Sequence, residues 1–485
     1  MKDCLGNVIG GEEVLAASGA TFEKLGPATG EVVCRVARSG PVEAAAAVAA
    51  AAAAQPAWAA LPAARRGEIL FKVAEALEAR AAEMAQVVHA ETGKSLKDAL
   101  GETLGAVALG KFMAGEGRRL YGRTTTSALD NRQAMTVLRP VGVAALIIAA
   151  NTPVANVAWK VFPALVCGNA AVLKASEDTP RTASLFAAMA REAGLPPGVL
   201  NILHGLGAEA GAALVREPGV GVISFTGSTA VGRFIMETAG ARLTKIFLEL
   251  GGKNPFVVCD DADLDLAVRW AALSAFSNAG QRCASASRII VCAGVYDAFR
   301  ERFLAVAKAQ KVGTSDADDF GPVINARQLA NMLAVVDQAR ADGAKVLCGG
   351  ERLTGQGRDN GFFLGATVLE GAGPDQPISR QELFGPICCL YRAQDFQHAL
   401  ALANDCDYGL TACVHTASLH RAQEFVRGIQ AGVAVVNAGT YGSEPHMPFG
   451  GLKNSGNGLR EPGTEALAVY TETQTVYIHH NPDAA

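Results

Sequence analysis

No apolar run in this chain of 485 residues is long and unbroken enough to span a bilayer. The nearest approach, residues 141–173, is interrupted by Asn151, Pro153, Asn156, Lys160 and Asn169, too polar a set for hydrocarbon. The beginning of the chain lacks the basic-then-apolar plan of a secretory signal, so a cytoplasmic protein without a membrane partner is expected. A surplus of charge is also missing. The 43 basic side chains stand against 47 acidic ones, a formal net charge of −4, which leaves no electrostatic reason to expect nucleic acid as a partner. The eleven cysteines show no metal-ligand spacing, and the adjacent Cys388 and Cys389 suit neither a zinc clamp nor a mutual disulfide. No metal is expected, and this many dispersed thiols read as a reducing compartment.

What is present is an alternation of elements. The length exceeds what one core usually supports, so two large domains are expected. The alanine-rich residues 42–60 read as a helix begun near Pro41 and stopped near Pro56. A second helix is expected over residues 63–92, ended by Gly93. Short apolar strands at 143–149, 170–174, 199–204 and 222–226 then alternate with helices at 159–167, 179–193, 207–216 and 230–239. That order predicts an α/β fold, a parallel sheet covered on both faces. A second series begins at residues 256–259 and runs through 289–291 and 434–436, with a boundary near 250–254. Residues 121–139 and 468–479 are β-like and fit neither series, as segments that pair with another subunit often are.

Four local patterns carry chemistry. Residues 223–232 run from an apolar strand through Gly227-Ser228-Thr229 into a helix containing Gly232, which reads as an ordinary N-cap or as a seat for pyrophosphate. Lys174 and Glu177 follow the strand 170–174, where side chains reach a ligand crevice; an acid there can accept ribose hydroxyls, and exposed loop charges are the equal alternative. Cys283 follows Gly280-Gln281-Arg282. A thiol beside a cation can have a lowered pKa, although most cysteines are small buried hydrophobes. Glu249 stands between Leu248 and Leu250, where burial would raise its pKa and suit it to general-base work; a capping or salt-bridged carboxylate is the alternative.

The order and spacing of these patterns are more specific than any one of them. Asn151, Lys174, Gly227-Ser228-Thr229, Glu249-Leu250-Gly251-Gly252-Lys253, Gly280-Gln281-Arg282-Cys283, Glu382-Leu383-Phe384-Gly385-Pro386 and Pro448-Phe449-Gly450-Gly451 together resemble the aldehyde dehydrogenase superfamily over essentially the whole chain. The resemblance implies a Rossmann-type cofactor domain (1–120 and 140–250), an α/β catalytic domain (251–452) and a small β oligomerisation extension (121–139 and 464–485). It implies NAD-dependent oxidation of an aldehyde to the acid by a homodimer or homotetramer. Cys283 would be the nucleophile, Asn151 the oxyanion donor and Glu249 the activator of water. Lys174, Glu177, Gly227, Ser228, Gly232, Glu382 and Phe384 would bind the cofactor, with NAD expected over NADP. Thr152, Asn156, Trp159, Ser277 and Phe449 match the aldehyde tunnel.

The chain departs from the family pattern at Ala149-Ala150, where Pro-Trp is common, at Thr152, and in residues 455–461, one residue longer than usual. These differences bear on the substrate. Relatives acting on carboxylated semialdehydes often carry tunnel arginines where Trp159 and Ser277 stand here, so an uncharged aldehyde is expected. At Arg282 the family varies, and the side chain more often supports the loop than meets the ligand. The alternatives are a coenzyme A-acylating or carboxylated-semialdehyde dehydrogenase, and a non-catalytic binding or structural protein on the same fold. The presence of Glu249 argues against acylation, and the full set of Cys283, Glu249 and Asn151 argues against a structural role.

Overall fold

Every residue of the strand Val143–Ile147 is buried, as a strand covered on both faces requires. In the computed structural model, which describes residues 4–480, this strand lies inside a seven-stranded sheet. Parallel strands run in the order Lys245–Glu249, Val222–Thr226, Val143–Ile147, Ala170–Lys174, Leu200–Leu203. Asn7–Ile9 and Glu12–Val14 complete the far edge as an antiparallel pair. One face is packed by Leu70, Met113, Val157, Phe162 and Phe186, the other by Ala44, Ala47, Ala51 and Leu214.

The first helix, Pro41–Ala60, runs through Pro56 and does not stop there. Proline removes a bond to the carbonyl four residues back, but Ala52 and Pro56 are both exposed, so water can satisfy that carbonyl. Trp58 pins the last turn, buried and donating from Nε1 to Leu165 O at 2.8 Å. The expected single helix over 63–92 is two, Ala63–Ala79 and Ala81–Thr92, broken at Arg80 and ended by Gly93 at φ 72°. The helix expected from residue 159 begins earlier, as Pro153–Val166. A long helix that the sequence reading did not foresee, Leu96–Glu116, opens with Ser95 Oγ accepting from Asp98 N at 3.1 Å.

Beyond Glu249 the chain crosses through buried residues 250–253 into a second seven-stranded sheet. Its order is Lys345–Cys348, Thr367–Glu370, Ile387–Ala393, Ala286–Cys292, Asn254–Val258, Thr411–His415, Val433–Val436. All neighbours are parallel except the first pair. A separate three-stranded antiparallel sheet joins Thr124–Thr126, Arg132–Pro140 and Thr471–His479, with register from Thr471 opposite Pro140 to His479 opposite Arg132. Residues 481–485 of the expected C-terminal extension lie outside the described residues. Among the described residues no single helix is long and apolar enough to cross a membrane, and no group of three His, Cys, Asp or Glu could hold a metal ion.

Candidate active site

Cys283 sits on a loop held from four sides. Three successive left-handed residues, Asn278, Ala279 and Gly280 (φ 55°, 54° and 65°), form the turn before it. At Gly280 a Cβ would lie 2.0 Å from Gly385 O, so only glycine lets the two loops approach. Gln281 Nε2 donates to Asn278 O and Pro322 O, and its Oε1 accepts from Ile324 N at 2.8 Å. Asn254 Nδ2 donates to the carbonyls of Cys283 at 2.7 Å and Ser285 at 2.9 Å. The N–H of Cys283 makes no hydrogen bond among the described residues.

The Asn151 loop faces this one. Asn278 Nδ2 donates to Asn151 O at 3.2 Å, and Lys94 Nζ donates to the same carbonyl at 2.9 Å. Lys94 is paired with Glu102 at 2.6 Å, and the other oxygen of Glu102 accepts from Val154 N at 2.9 Å and Ala155 N at 3.3 Å. The helix Leu96–Glu116 thus caps the helix Pro153–Val166 and anchors the backbone of Asn151. Asn156 Nδ2 donates to Ala149 O at 3.1 Å and to Asn151 Oδ1 at 3.2 Å. Asn156 was expected to offer hydrogen bonds to the aldehyde. It is buried beneath Asn151 instead, with its amide protons already used.

Glu249 is 3 % exposed at the end of its strand. The Cys283 thiol donates to its carboxyl, and Oε1 has no hydrogen-bond partner among the described residues. Burial pushes Glu249 up to about 8, against the pull of the Lys160 ammonium and the Cys283 hydrogen bond; Glu382 and Glu461 push the same way. Lys160 belongs to a buried network. Its Nζ donates to Ser224 Oγ at 2.7 Å and Glu461 Oε2 at 3.1 Å, while Tyr470 OH donates to Glu461 Oε1 at 2.6 Å. Burial and the carboxyls of Glu249 and Glu382 raise the Cys283 thiol well above its ordinary value. Of the two readings the sequence left open, a thiol lowered by the neighbouring cation and a buried one, the raised value follows the second. The Arg282 guanidinium lies over the Tyr441 ring, 5.0 Å from its centroid.

Of the residues matched to the cofactor, Lys174 and Glu177 are brought together, Nζ to Oε2 at 3.1 Å. Lys174 is buried, and burial lowers its pKa against the attraction of Glu177. Glu177 is 35 % exposed; burial opposes ionisation, yet Lys174 holds its carboxyl below the usual value. The turn at Gly227 leads into the helix Thr229–Gly240, where Ser228 Oγ accepts from Val231 N at 3.5 Å. Gly232 is buried on that helix against Leu250. A buried ammonium, a reachable carboxylate and a helix N-terminus at strand ends fit the ribose and phosphates of a dinucleotide. Glu382 lies nearer the chemistry, with Oε1 accepting from Gly252 N at 3.0 Å. Burial lifts Glu382 to about 7, with the Gly252 N–H and Lys253 pulling back. Phe384 takes a positive φ of 55° beside it.

On the other side of Cys283, Trp159 meets Phe449 edge-to-face at 5.7 Å. Both lie in one apolar cluster with Ala284, Leu410, Tyr441 and Cys283. Ser277 Oγ is buried without a partner among the described residues, and Thr152 opens the helix Pro153–Val166 without a side-chain cap bond. This places the Cys283 thiol beside the Glu249 carboxyl and in one apolar cluster with Trp159, Phe449 and Tyr441.

The model of the aldehyde dehydrogenase family matches residues 14–476. The chain belongs to this family. It is 37 % identical over 475 residues, covering 97 % of both chains, to the α-ketoglutaric semialdehyde dehydrogenase of Bacillus subtilis. It is 39 % identical to the 2,5-dioxopentanoate dehydrogenase of Saccharolobus solfataricus over 87 % of this chain and 88 % of that one. Its fold superposes with a TM-score of 0.96 on a betaine aldehyde dehydrogenase from Staphylococcus aureus solved with NAD+, 31 % identical, covering 99 % of this chain and 95 % of the other. The protein is an oxidoreductase that oxidises an aldehyde with NAD, and the expected fold and enzyme class are borne out. Sequence reasoning missed Lys94, Glu102, Asn254, Asn278, Lys160 and Glu461. Asn254 and Asn278 stood beside recognised motifs. The others had no local signal, because their partners lie far along the chain.

Proposed function

We propose that Cys283, Asn151 and Glu249 carry a hydrolytic aldehyde oxidation, and the observation that supports it is the hydrogen bond from the Cys283 thiol to a buried Glu249. The thiol proton leaves along that bond, sulfur bonds to the aldehyde carbon, and the carbonyl π pair moves to oxygen. Asn151 Nδ2 and the Cys283 N–H, both without acceptors among the described residues, then donate to that oxyanion. NAD, when bound, supplies the acceptor for the hydrogen and electron pair that leave the carbon. The carbonyl re-forms as a thioester on Cys283. Glu249, after releasing its proton to solvent, takes one from a water whose oxygen attacks the thioester; the C–S bond breaks, and acid and thiol part.

Lys174, Glu177, Gly227, Ser228, Gly232, Glu382 and Phe384 are assigned to the cofactor, and Thr152, Trp159, Ser277 and Phe449 to the aldehyde. We assign residues 1–120 and 140–250 to cofactor binding and 251–452 to catalysis. Residues 121–139 and 464–485 are assigned to contact within a homodimer or homotetramer, a reading supported by exposed Tyr477 and Ile478 on an outer strand. Eleven unbridged cysteines suit the reducing cytoplasm. Cys283→Ala tests the central claim: NADH formation should vanish while NAD still binds. Near-normal turnover in that variant would refute the assignment. A chain ending at Val469 should elute as a monomer if the outer strand holds subunits together.

A further inference from the structure

We propose that Lys24 is a positioning residue for the cofactor: its buried ammonium holds Asp178 and thereby sets the neighbouring Glu177 against the ribose. This rests on the assignment of Glu177 above. Lys24 lies on a two-stranded hairpin, Thr21–Leu25 with Val32–Ala37, outside both seven-stranded sheets. The usual order of burial is reversed there. Lys24 is 3 % exposed and is the buried residue of its strand, whereas the apolar Leu25 beside it is exposed. A hairpin that turns an ammonium inward and a leucine outward requires a partner for the charge. Burial pulls the Lys24 pKa down, against the attraction of Asp178 and Glu91.

The two carboxyls are held differently. Glu91 is buried and caps the helix Pro180–Glu192. Its Oε1 accepts from Arg181 N at 2.7 Å, and its Oε2 accepts from Thr182 N at 3.0 Å and Thr182 Oγ1 at 2.7 Å. Those bonds fix it without Lys24. Asp178 has fewer ties. Its Oδ2 accepts from Asn325 Nδ2 at 3.0 Å, and its Oδ1 faces Lys24 Nζ at 3.7 Å. Asn325 is itself fixed as the N-cap of the helix Ala326–Ala341, its Oδ1 accepting from Gln328 N at 2.9 Å. Burial pushes the Asp178 carboxyl up. Among the charges Lys24 opposes this most and Arg327 less, while Glu177 adds to it. Asp178 directly follows Glu177 in the loop between the strand Ala170–Lys174 and the helix that Glu91 caps. Without Lys24, Asp178 stands beside Glu177 short of its main counter-charge, and the loop relaxes by turning it to solvent. Glu177 then loses its alignment with the ribose hydroxyls, because a hydrogen bond weakens steeply with angle.

The test is steady-state kinetics and NAD binding on purified variants. Lys24→Met keeps the stem and removes the charge. KM and Kd for NAD should rise roughly fivefold to tenfold, the loss of one hydrogen bond, with kcat and the aldehyde KM within about twofold of wild type. Asp178→Asn cuts the same pair from the loop side and should raise the same constants by a similar factor. It carries the test where Lys24→Met does not fold. The double variant should be no worse than either single one, because both act through one contact. A folded Lys24→Met or Asp178→Asn enzyme with wild-type constants for NAD, or losses that add in the double variant, overturns the inference. Glu177→Ala separates this from the reading it rests on. An unchanged NAD constant in Glu177→Ala removes Glu177 from the ribose, and the inference falls with it. A raised constant there, beside an unchanged one in Lys24→Met, overturns the inference alone.

Discussion

Asn156 Nδ2 donates to Asn151 Oδ1 at 3.2 Å, and that one bond decides which end of the Asn151 amide faces the substrate. With Oδ1 held, Nδ2 is the end left to donate to a developing oxyanion. Asn151→Ala should lower kcat by about 10²–10³, the usual cost of one such donor. Asn156→Leu keeps the volume but lets the amide turn, and should slow the first-turnover NADH burst by about tenfold, roughly 1.4 kcal/mol in barrier. An Asn156→Leu enzyme with a wild-type burst would show that the bond does not position Asn151.

On the proposed mechanism, Glu249 sets the pH dependence of thioester hydrolysis. Its carboxyl is raised to about 8, so at neutral pH most of it is protonated and unable to take a proton from water. Where hydrolysis limits turnover, kcat should rise about tenfold per pH unit below that value and level off above it. In Glu249→Gln the rise should disappear, acylation should slow with the loss of the thiol's proton acceptor, NADH should stop at no more than one per active site, and an acyl mass should remain on Cys283. Sustained turnover by that variant is the contrary result.

The strands and the candidate catalytic residues were legible in the sequence for a common reason. Ala170–Lys174 and Val222–Thr226 are buried runs, whose apolar character is continuous and local; Glu249 ends another such strand just before Gly251-Gly252, and Cys283 follows a glycine-containing turn. The helix Leu96–Glu116 was not legible. It contains Gly101, Gly105, Gly110 and Gly115, each unfavourable by about 1 kcal/mol relative to alanine. Packing overrides that cost at Gly110, where a Cβ would lie 2.6 Å from the Phe162 ring. The unforeseen helix in turn carries Glu102, so the support of Asn151 was hidden along with it.

Lys160 and Glu461 are each 1 % exposed and lie 3.1 Å apart. Removing one member of a buried pair strands the other's charge, which typically costs about 3–5 kcal/mol. Lys160→Met should therefore lower stability by that order in urea unfolding, and adding Glu461→Gln should restore part of it. The same variant has a catalytic signature. Lys160 pulls the Glu249 pKa down, so without it the pKa rises and the pH–rate curve moves to more alkaline pH. A destabilised enzyme with an unmoved curve would leave Lys160 a structural role alone.

The pairing of Lys174 with Glu177 at 3.1 Å bears on the choice between NAD and NADP. In the proposed cofactor site this carboxylate would accept hydrogen bonds from the ribose hydroxyls of NAD, whereas the 2′-phosphate of NADP would bring nearly two negative charges against it. Glu177 is partly exposed, so solvent moderates the repulsion; with the lost hydrogen bonds the penalty is about 1–3 kcal/mol. That corresponds to a preference for NAD of roughly fivefold to a hundred and fifty-fold in kcat/KM. Glu177→Gln removes the repulsion and frees the Lys174 ammonium for the phosphate, so the preference should narrow, mainly through a lower KM for NADP. Both cofactors are to be compared on wild type and variant at one aldehyde concentration. Equal wild-type values, or a preference that survives Glu177→Gln intact, would remove Glu177 from cofactor discrimination.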